Sequence, residues 1–228
     1  MIRSVLLDLD DTILDFHRAE RAALRETLAY LDIDPAEATL ARYSELNRLQ
    51  WEALERGEIT REEVKVRRYR LLFAELGVER DPRAAAEYYE KELAVGHYFV
   101  EGAESLLQAL RGRWRLYLVS NGTVSVQRSR LQSAGIAGYF TKIFLSEAIG
   151  CDKPGAAFFQ RCFDAIPDFC REETVIVGDS LTSDIRGGHN AGIRTIWFNP
   201  SGGDNRTDVR PDYEIRTLAE LPPLLERL

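Results

Sequence analysis

The residues best able to do chemistry fall into four short groups: Asp8 with Asp10, Asp11 and Thr12; Ser120-Asn121-Gly122; Lys153-Pro154; and Gly178-Asp179 through Asp184. Asp8, Asp10 and Asp11 lie within four positions, directly after the apolar run Val5-Leu6-Leu7. Carboxylates this close repel one another and resist desolvation, so they need water or a cation. A solvated acidic turn meets that need, and so does a cation site. In an extended chain, residues two apart point to the same side, which pairs Asp8 with Asp10. Such a pair suits phosphoryl transfer. Asp8 can attack phosphorus and become an aspartyl-phosphate, while Asp10 gives a proton to the leaving oxygen and later takes one from the attacking water. Mg2+, held by oxygen ligands at roughly 2.0–2.1 Å, would let the anionic carboxylate approach the anionic phosphate.

The other three groups supply what that chemistry lacks. The hydroxyl of Ser120 and the backbone N–H groups around Asn121 and Gly122, just before a helix start, make a site for phosphate oxygens. A serine N-cap followed by a glycine turn uses the same residues. Lys153 can balance the charge of Asp8 and a transferring phosphoryl group, and Pro154 holds it in an extended backbone. Asp179 is the natural further ligand for a cation, with Asp184 as another ligand or as the partner that orients Lys153.

These groups need a scaffold that brings them together. Each follows a short apolar run, and the runs alternate with helical segments: strands at 4–7, 116–119, 142–146, 174–177 and 195–198, helices at 103–110, 124–134, 156–166 and 183–191. That alternation predicts a parallel sheet covered on both faces, with ligands at the carboxyl ends of its strands. A last short strand is expected at 213–215, then a helix at 218–225 interrupted by Pro222-Pro223. Between about 15 and 100 the pattern is helical only. Asp34-Pro35-Ala36-Glu37 reads as a capped helix start, Thr60 with Glu63 as a capping box, Gly77 as a helix stop and Asp81-Pro82 as a further start. The expected organisation is an α/β core, 1–14 plus 101–228, carrying an inserted all-helical domain at 15–100.

Composition narrows the function classes. Lys and Arg number 30 against 37 Asp and Glu, for a net charge of −7 in 228 residues. Without a basic block, binding to a nucleic-acid polymer or an anionic membrane is not expected. No apolar run approaches a membrane span, and no secretory signal precedes the first strand. Cys151, Cys162 and Cys170 lack a paired C-x-x-C spacing and read as reduced thiols of a cytoplasmic protein.

The four groups in this order resemble the motifs of the haloacid-dehalogenase superfamily of phosphatases, and the resemblance covers essentially the whole chain. It implies a Rossmann-like core with a helical cap. It also implies that Asp8 is the nucleophile and Asp10 the acid/base, and that Mg2+ is held by Asp8, the Asp10 backbone carbonyl and Asp179. Ser120, Asn121 and Lys153 would hold the phosphoryl group, Thr12 would shape the loop around it, and Asp184 would support the metal or Lys153. Having Asp10 favours a phosphatase over a true dehalogenase. Within the cap, Leu14-Asp15-Phe16, Asn47 with Gln50-Trp51, and Gly57-Glu58-Ile59-Thr60 are similar to the branch with pyrimidine 5′-nucleotidase activity, as is the stretch from Ser183 to Ile193. Trp51 could stack a base and Asn47 bond its edge; both also suit the packing of a cap helix. The expected activity is Mg2+-dependent hydrolysis of a small phosphate monoester, a nucleoside 5′-monophosphate by preference, by a monomer or homodimer. A sugar phosphate or phosphoglycolate is the alternative substrate, phosphomutase or dehalogenase chemistry lies further off, and a phosphate-ligand binding protein without turnover is the alternative of a different class.

Overall fold

In the computed structural model, which describes residues 1–228, the first apolar run is strand β1 (Ser4–Leu7), with Val5, Leu6 and Leu7 wholly buried. Burial on both sides follows from its position in the middle of a parallel sheet. The chain then leaves this sheet for four helices, α1 (Phe16–Tyr30), α2 (Glu37–Glu55), α3 (Arg61–Leu76) and α4 (Pro82–Leu93). It returns through α5 (Ala103–Leu110), β2 (Arg115–Ser120), α6 (Val124–Ser133), β3 (Lys142–Leu145), α7 (Ser146–Ile149) and α8 (Ala156–Asp164). After β4 (Thr174–Gly178) comes a π-helical turn, Leu181–Ile185, and then α9 (Arg186–Ala191), β5 (Arg194–Phe198), β6 (Tyr213–Ile215) and α10 (Leu221–Arg227). Two compact units result, Met1–Asp15 with Tyr98–Leu228, and Phe16–His97.

The first unit is an α/β fold built on one six-stranded parallel sheet in the order β3-β2-β1-β4-β5-β6. The alternation of side chains along each strand divides the core in two. On one face Val5, Leu7, Leu116, Leu118, Val175 and Val177 pack with Leu107 of α5, Leu131 of α6 and Leu221 of α10. On the other, Leu6, Tyr117, Val119 and Ile176 meet Phe158, Phe159, Cys162 and Phe163 of α8. Each such buried side chain contributes about 1.5–3 kcal/mol. Strand order reverses between β1 and β4, which makes the carboxyl ends of those two strands the switch point where such sheets open a ligand crevice. The two chain crossings out of this unit are tied together: Leu14 pairs antiparallel with Phe99, and the Asp15 N–H donates to the Tyr98 carbonyl at 2.8 Å.

The helical unit buries Leu24, Leu28, Leu46, Leu72 and the tyrosines Tyr43, Tyr69 and Tyr89. Its interior also holds a polar knot. Glu20 of α1 accepts hydrogen bonds from Ser44 and, at 2.7 Å, from the Asn47 amide; Arg68 of α3 donates to the Asn47 carbonyl oxygen at 2.8 Å. The Arg68 guanidinium lies 4.7 Å from the ring centre of Tyr89 and 5.7 Å from those of Tyr43 and Tyr69, so three π faces share its charge.

Three local expectations are corrected. Helix α2 starts at Glu37 with Ala36 as its N-cap, not at Asp34-Pro35. The Glu37 carboxylate pairs with Arg21 and Arg25 of α1 instead of folding back on its own helix start. Pro222 and Pro223 sit in the first turn of α10, where a missing N–H costs nothing, so they open that helix instead of interrupting it. The segment expected as one helix from Ser183 begins as the π-helical turn, whose Asp184 and Ile185 N–H groups both bond the Ser180 carbonyl.

Candidate active site

Three of the groups lie at or directly after strand ends, and Lys153 lies on the loop between α7 and α8. Asp8 follows β1, and its N–H donates to the Val177 carbonyl at 3.0 Å, which locks the end of β1 to β4. Lys153, on the loop before α8, is 2% exposed. Its ammonium donates to Asp8 Oδ1 at 2.6 Å, Asp184 Oδ1 at 2.7 Å and the Val119 carbonyl at 2.9 Å, which uses all three of its protons. Asp184, at the π-helical turn, is 1% exposed and also accepts from the Ser180 N–H. A β-carbon on Gly178 would lie 2.2 Å from Asp184 Oδ2, so only glycine lets that carboxylate lie against the end of β4. The Asp179 carbonyl accepts from the Trp197 indole N–H at 2.8 Å, which anchors the loop to β5.

Carboxylate oxygens of Asp8, Asp179 and Asp184 all lie within 4.8 Å of one another. Burial foremost, with the nearby Asp184 and Asp10 charges, pushes the Asp8 carboxyl up to about 8 in spite of Lys153. Burial and the charges of Asp8, Asp184 and Asp11 hold Asp179 well above the usual carboxylate range. Burial works against the Lys153 ammonium, yet Asp184 and Asp8 together keep it above the ordinary lysine value. One ammonium cannot offset three ionised carboxylates here, so Asp8 and Asp179 resist ionisation until a further positive charge meets these hard oxygen donors. That donor set fits a small divalent cation such as Mg2+. The Thr12 hydroxyl, wholly buried in the loop that carries Asp8 and Asp10, has no hydrogen-bond partner of its own.

The matching model of haloacid dehalogenase-like hydrolases spans residues 2–192. The chain belongs to this hydrolase family. This HAD-like hydrolase is 41% identical over 223 residues to YfnB of Bacillus subtilis, covering 98% of this chain and 95% of YfnB. The crystal structure of YfnB bound to magnesium superposes with a TM-score of 0.94, over 98% of each chain. Pyrimidine 5′-nucleotidase PynA of Streptococcus pneumoniae is 37% identical over 224 residues, covering 98% of this chain and 94% of PynA. Pyrimidine 5′-nucleotidase YjjG of Escherichia coli is 29% identical over 224 residues, with 97% and 96% covered.

The remaining candidate residues of this hydrolase have specific partners. Asn121 clasps the backbone of Lys153: its side-chain carbonyl accepts from the Lys153 N–H and its amide donates to the Lys153 carbonyl, each at 2.9 Å. The Ser120 hydroxyl accepts from the Gly122 N–H at 3.1 Å and from the Gln127 amide at 2.9 Å. Asp10 does not share the partners of Asp8; Arg130 and Gln127 of α6 take its carboxylate instead. Asn47 belongs to the polar knot of the helical unit, and the half-buried Trp51 has the Arg61 guanidinium 5.5 Å from its ring centre. Sequence reasoning missed Gln127, Arg130 and Trp197. A charged residue on a helix ordinarily reads as solvated, and the available signal was that Gln127 and Arg130 fall on the same buried face of α6 as Val126 and Leu131.

No helix is long and apolar enough to cross a membrane.

Proposed function

We propose that the protein is a phosphomonoester hydrolase working through an aspartyl-phosphate, with pyrimidine nucleoside 5′-monophosphates as its preferred substrates. The observation that carries the reading is the Lys153 ammonium held between Asp8 and Asp184, beside Asp179. A carboxylate fixed by a buried lysine at a strand end is a positioned nucleophile, and the lysine is a ready counter-charge for a phosphoryl group. In the first half-reaction an Asp8 oxygen forms a bond to phosphorus as the ester P–O bond breaks, and Asp10 protonates the departing oxygen. In the second, water attacks the same phosphorus and gives its proton to Asp10, and the Asp8–phosphorus bond breaks. Ser120 holds a phosphoryl oxygen through both steps, Lys153 supplies the counter-charge beside it, and Asn121 keeps Lys153 in place. Asp8, Asp179 and the Asp10 backbone carbonyl would hold Mg2+, with Asp184 behind them. When bound, the cation supplies charge neutralisation between carboxylate and phosphate.

The nucleotide preference rests on likeness to PynA and YjjG along nearly the whole chain. Trp51, half-buried on α2, is the residue we assign to the base.

Phosphate release from nucleoside monophosphates, sugar phosphates and phosphoglycolate, with Mg2+ and with chelator, tests the reading. Chelator-sensitive release led by pyrimidine nucleotides, and lost in Asp8→Asn while circular dichroism stays native, is the expected result. Release led by a sugar phosphate would discard the nucleotide preference. Full turnover by Asp8→Asn would discard Asp8 as nucleophile.

A further inference from the structure

Helix α6 breaks the rule that a short helix turns its apolar side to the core. Of its four buried residues, two are Gln127 and Arg130, and Arg130 is wholly buried. A guanidinium with no access to water is retained only against a partner. Here the partner is the carboxylate of Asp10. Arg130 Nη1 pairs with Asp10 Oδ1 and also donates to Gln127 Oε1 at 3.0 Å. The Gln127 amide donates to Asp10 Oδ2 at 2.6 Å and to the Ser120 hydroxyl at 2.9 Å. Both oxygens of Asp10 are therefore held, each by a different residue of the same helix.

A second observation shows that chain geometry has been given over to this contact. A β-carbon on Gly122 would lie 2.2 Å from the Gln127 amide nitrogen and 2.6 Å from its side-chain carbonyl carbon. The glycine of Ser120-Asn121-Gly122 is thus the opening through which Gln127 passes to reach Ser120 and Asp10. Local rules broken together at one place mark a functional site more often than a packing accident.

We propose that Arg130 and Gln127 are positioning residues for the acid/base step, fixing the Asp10 carboxyl through the same Gln127 amide that holds the Ser120 hydroxyl, so that proton transfer to the leaving oxygen starts from one orientation. The inference rests on the acid/base role given to Asp10 above. Proton transfer needs heavy atoms within about 2.6–3.2 Å, and a carboxylate on a loop would otherwise spread over several rotamers. A staple that merely pinned α6 to the loop after β1 would use the same atoms, so the test must read proton delivery and not folding.

Leaving-group dependence does so. A p-nitrophenolate departs without a proton, whereas an alkoxide needs one. Arg130→Met is expected to lower kcat/KM about 100-fold for uridine 5′-monophosphate and β-glycerophosphate, but less than about 5-fold for p-nitrophenyl phosphate, the size of an acid–base contribution. In an Asp10→Asn background the same change should have no further effect on the alkyl esters, and Arg130→Lys should restore part of the loss. Gln127→Leu, which leaves the buried charge pair intact, provides a variant that folds if Arg130→Met does not. It should lower the ratio of alkyl to aryl kcat/KM at least about 5-fold on the same grounds. An equal loss on both ester classes, or full additivity with Asp10→Asn, would make Arg130 and Gln127 structural and overturn the proposal. A wild-type protein that hydrolyses none of the three esters would instead remove the phosphatase reading, and this inference with it.

Discussion

Lys153 is one charge shared by two carboxylates, and the arrangement can be judged by what its loss would leave behind. Removing the ammonium would strand the Asp184 carboxylate, 1% exposed, with no counter-ion beside the buried Asp8 carboxyl. Breaking a buried ion pair from one side costs about 3–5 kcal/mol, far more than an exposed pair is worth. Lys153→Met should therefore lower the unfolding free energy of the metal-free protein by about that amount in urea titrations at pH 7. A change under about 1 kcal/mol would mean that Asp184 takes up a proton when the ammonium is gone. At this scale the site was largely legible. Asp8, Lys153, Asp179 and Asp184 are each a polar residue that ends or follows an apolar run, and that contrast survives in one dimension. Arg130 and Gln127 were not legible, because their meaning depends on which face of α6 meets the loop after β1, and spacing alone reads a polar residue on a helix as solvated. Asn121 was legible as part of a motif but not in its action, which is to hold the backbone of a residue 32 positions away.

Elements were predictable where their signals were local. The Thr60 and Glu63 capping box forms as expected, Gly77 ends α3 in the left-handed conformation, and Asp81 caps α4 with Pro82 at its first position. Each needs only its neighbours in sequence. The start of α2 lies at Glu37, whose carboxylate meets two arginines of α1, contacts that no local pattern carries. The π-helical turn after β4 escaped prediction for a related reason: its extra residue per turn sets Asp184 against Lys153, and a demand of that kind comes from the site. Gly178 tests this turn as an element. In Gly178→Ala the new methyl group would overlap Asp184 Oδ2, so either the carboxylate leaves Lys153 or the turn rewinds. Overpacking of this kind costs about 1–3 kcal/mol. We expect the variant to melt earlier than the wild type and to bind Mg2+ more weakly in calorimetry, whereas a change in melting alone would detach the turn from the cation site.

For the whole molecule, the buried acid cluster links stability to pH and to metal. With its carboxyl raised from 3.8 to about 8, Asp8 folds most readily as the neutral acid. Its contribution is complete below the unfolded value and is lost as pH rises through about 8, because the folded state must then bury the charge. A bound cation favours the ionised form and reverses the penalty, at the expense of a released proton. The rise in melting temperature on adding Mg2+ should therefore be larger at pH 8.5 than at pH 6 in scanning calorimetry; equal rises would exclude titration of Asp8 as the source of the linkage. The helical tract Phe16–His97 forms its own compact unit, because a tract without strands cannot join a parallel sheet. The position of β1 has a further consequence, one of timing. Its two neighbours in the sheet, β2 and β4, begin 111 and 170 residues after it, at Arg115 and Thr174. On a ribosome the middle strand emerges first and its two neighbours only after the whole helical segment, β4 later than both β2 and β3, while α1 to α4 pack on one another in between. A nascent or truncated chain ending before β4 carries an apolar strand with one bare edge, so degradation products and stalled chains of this protein should be far more prone to aggregate than the finished one.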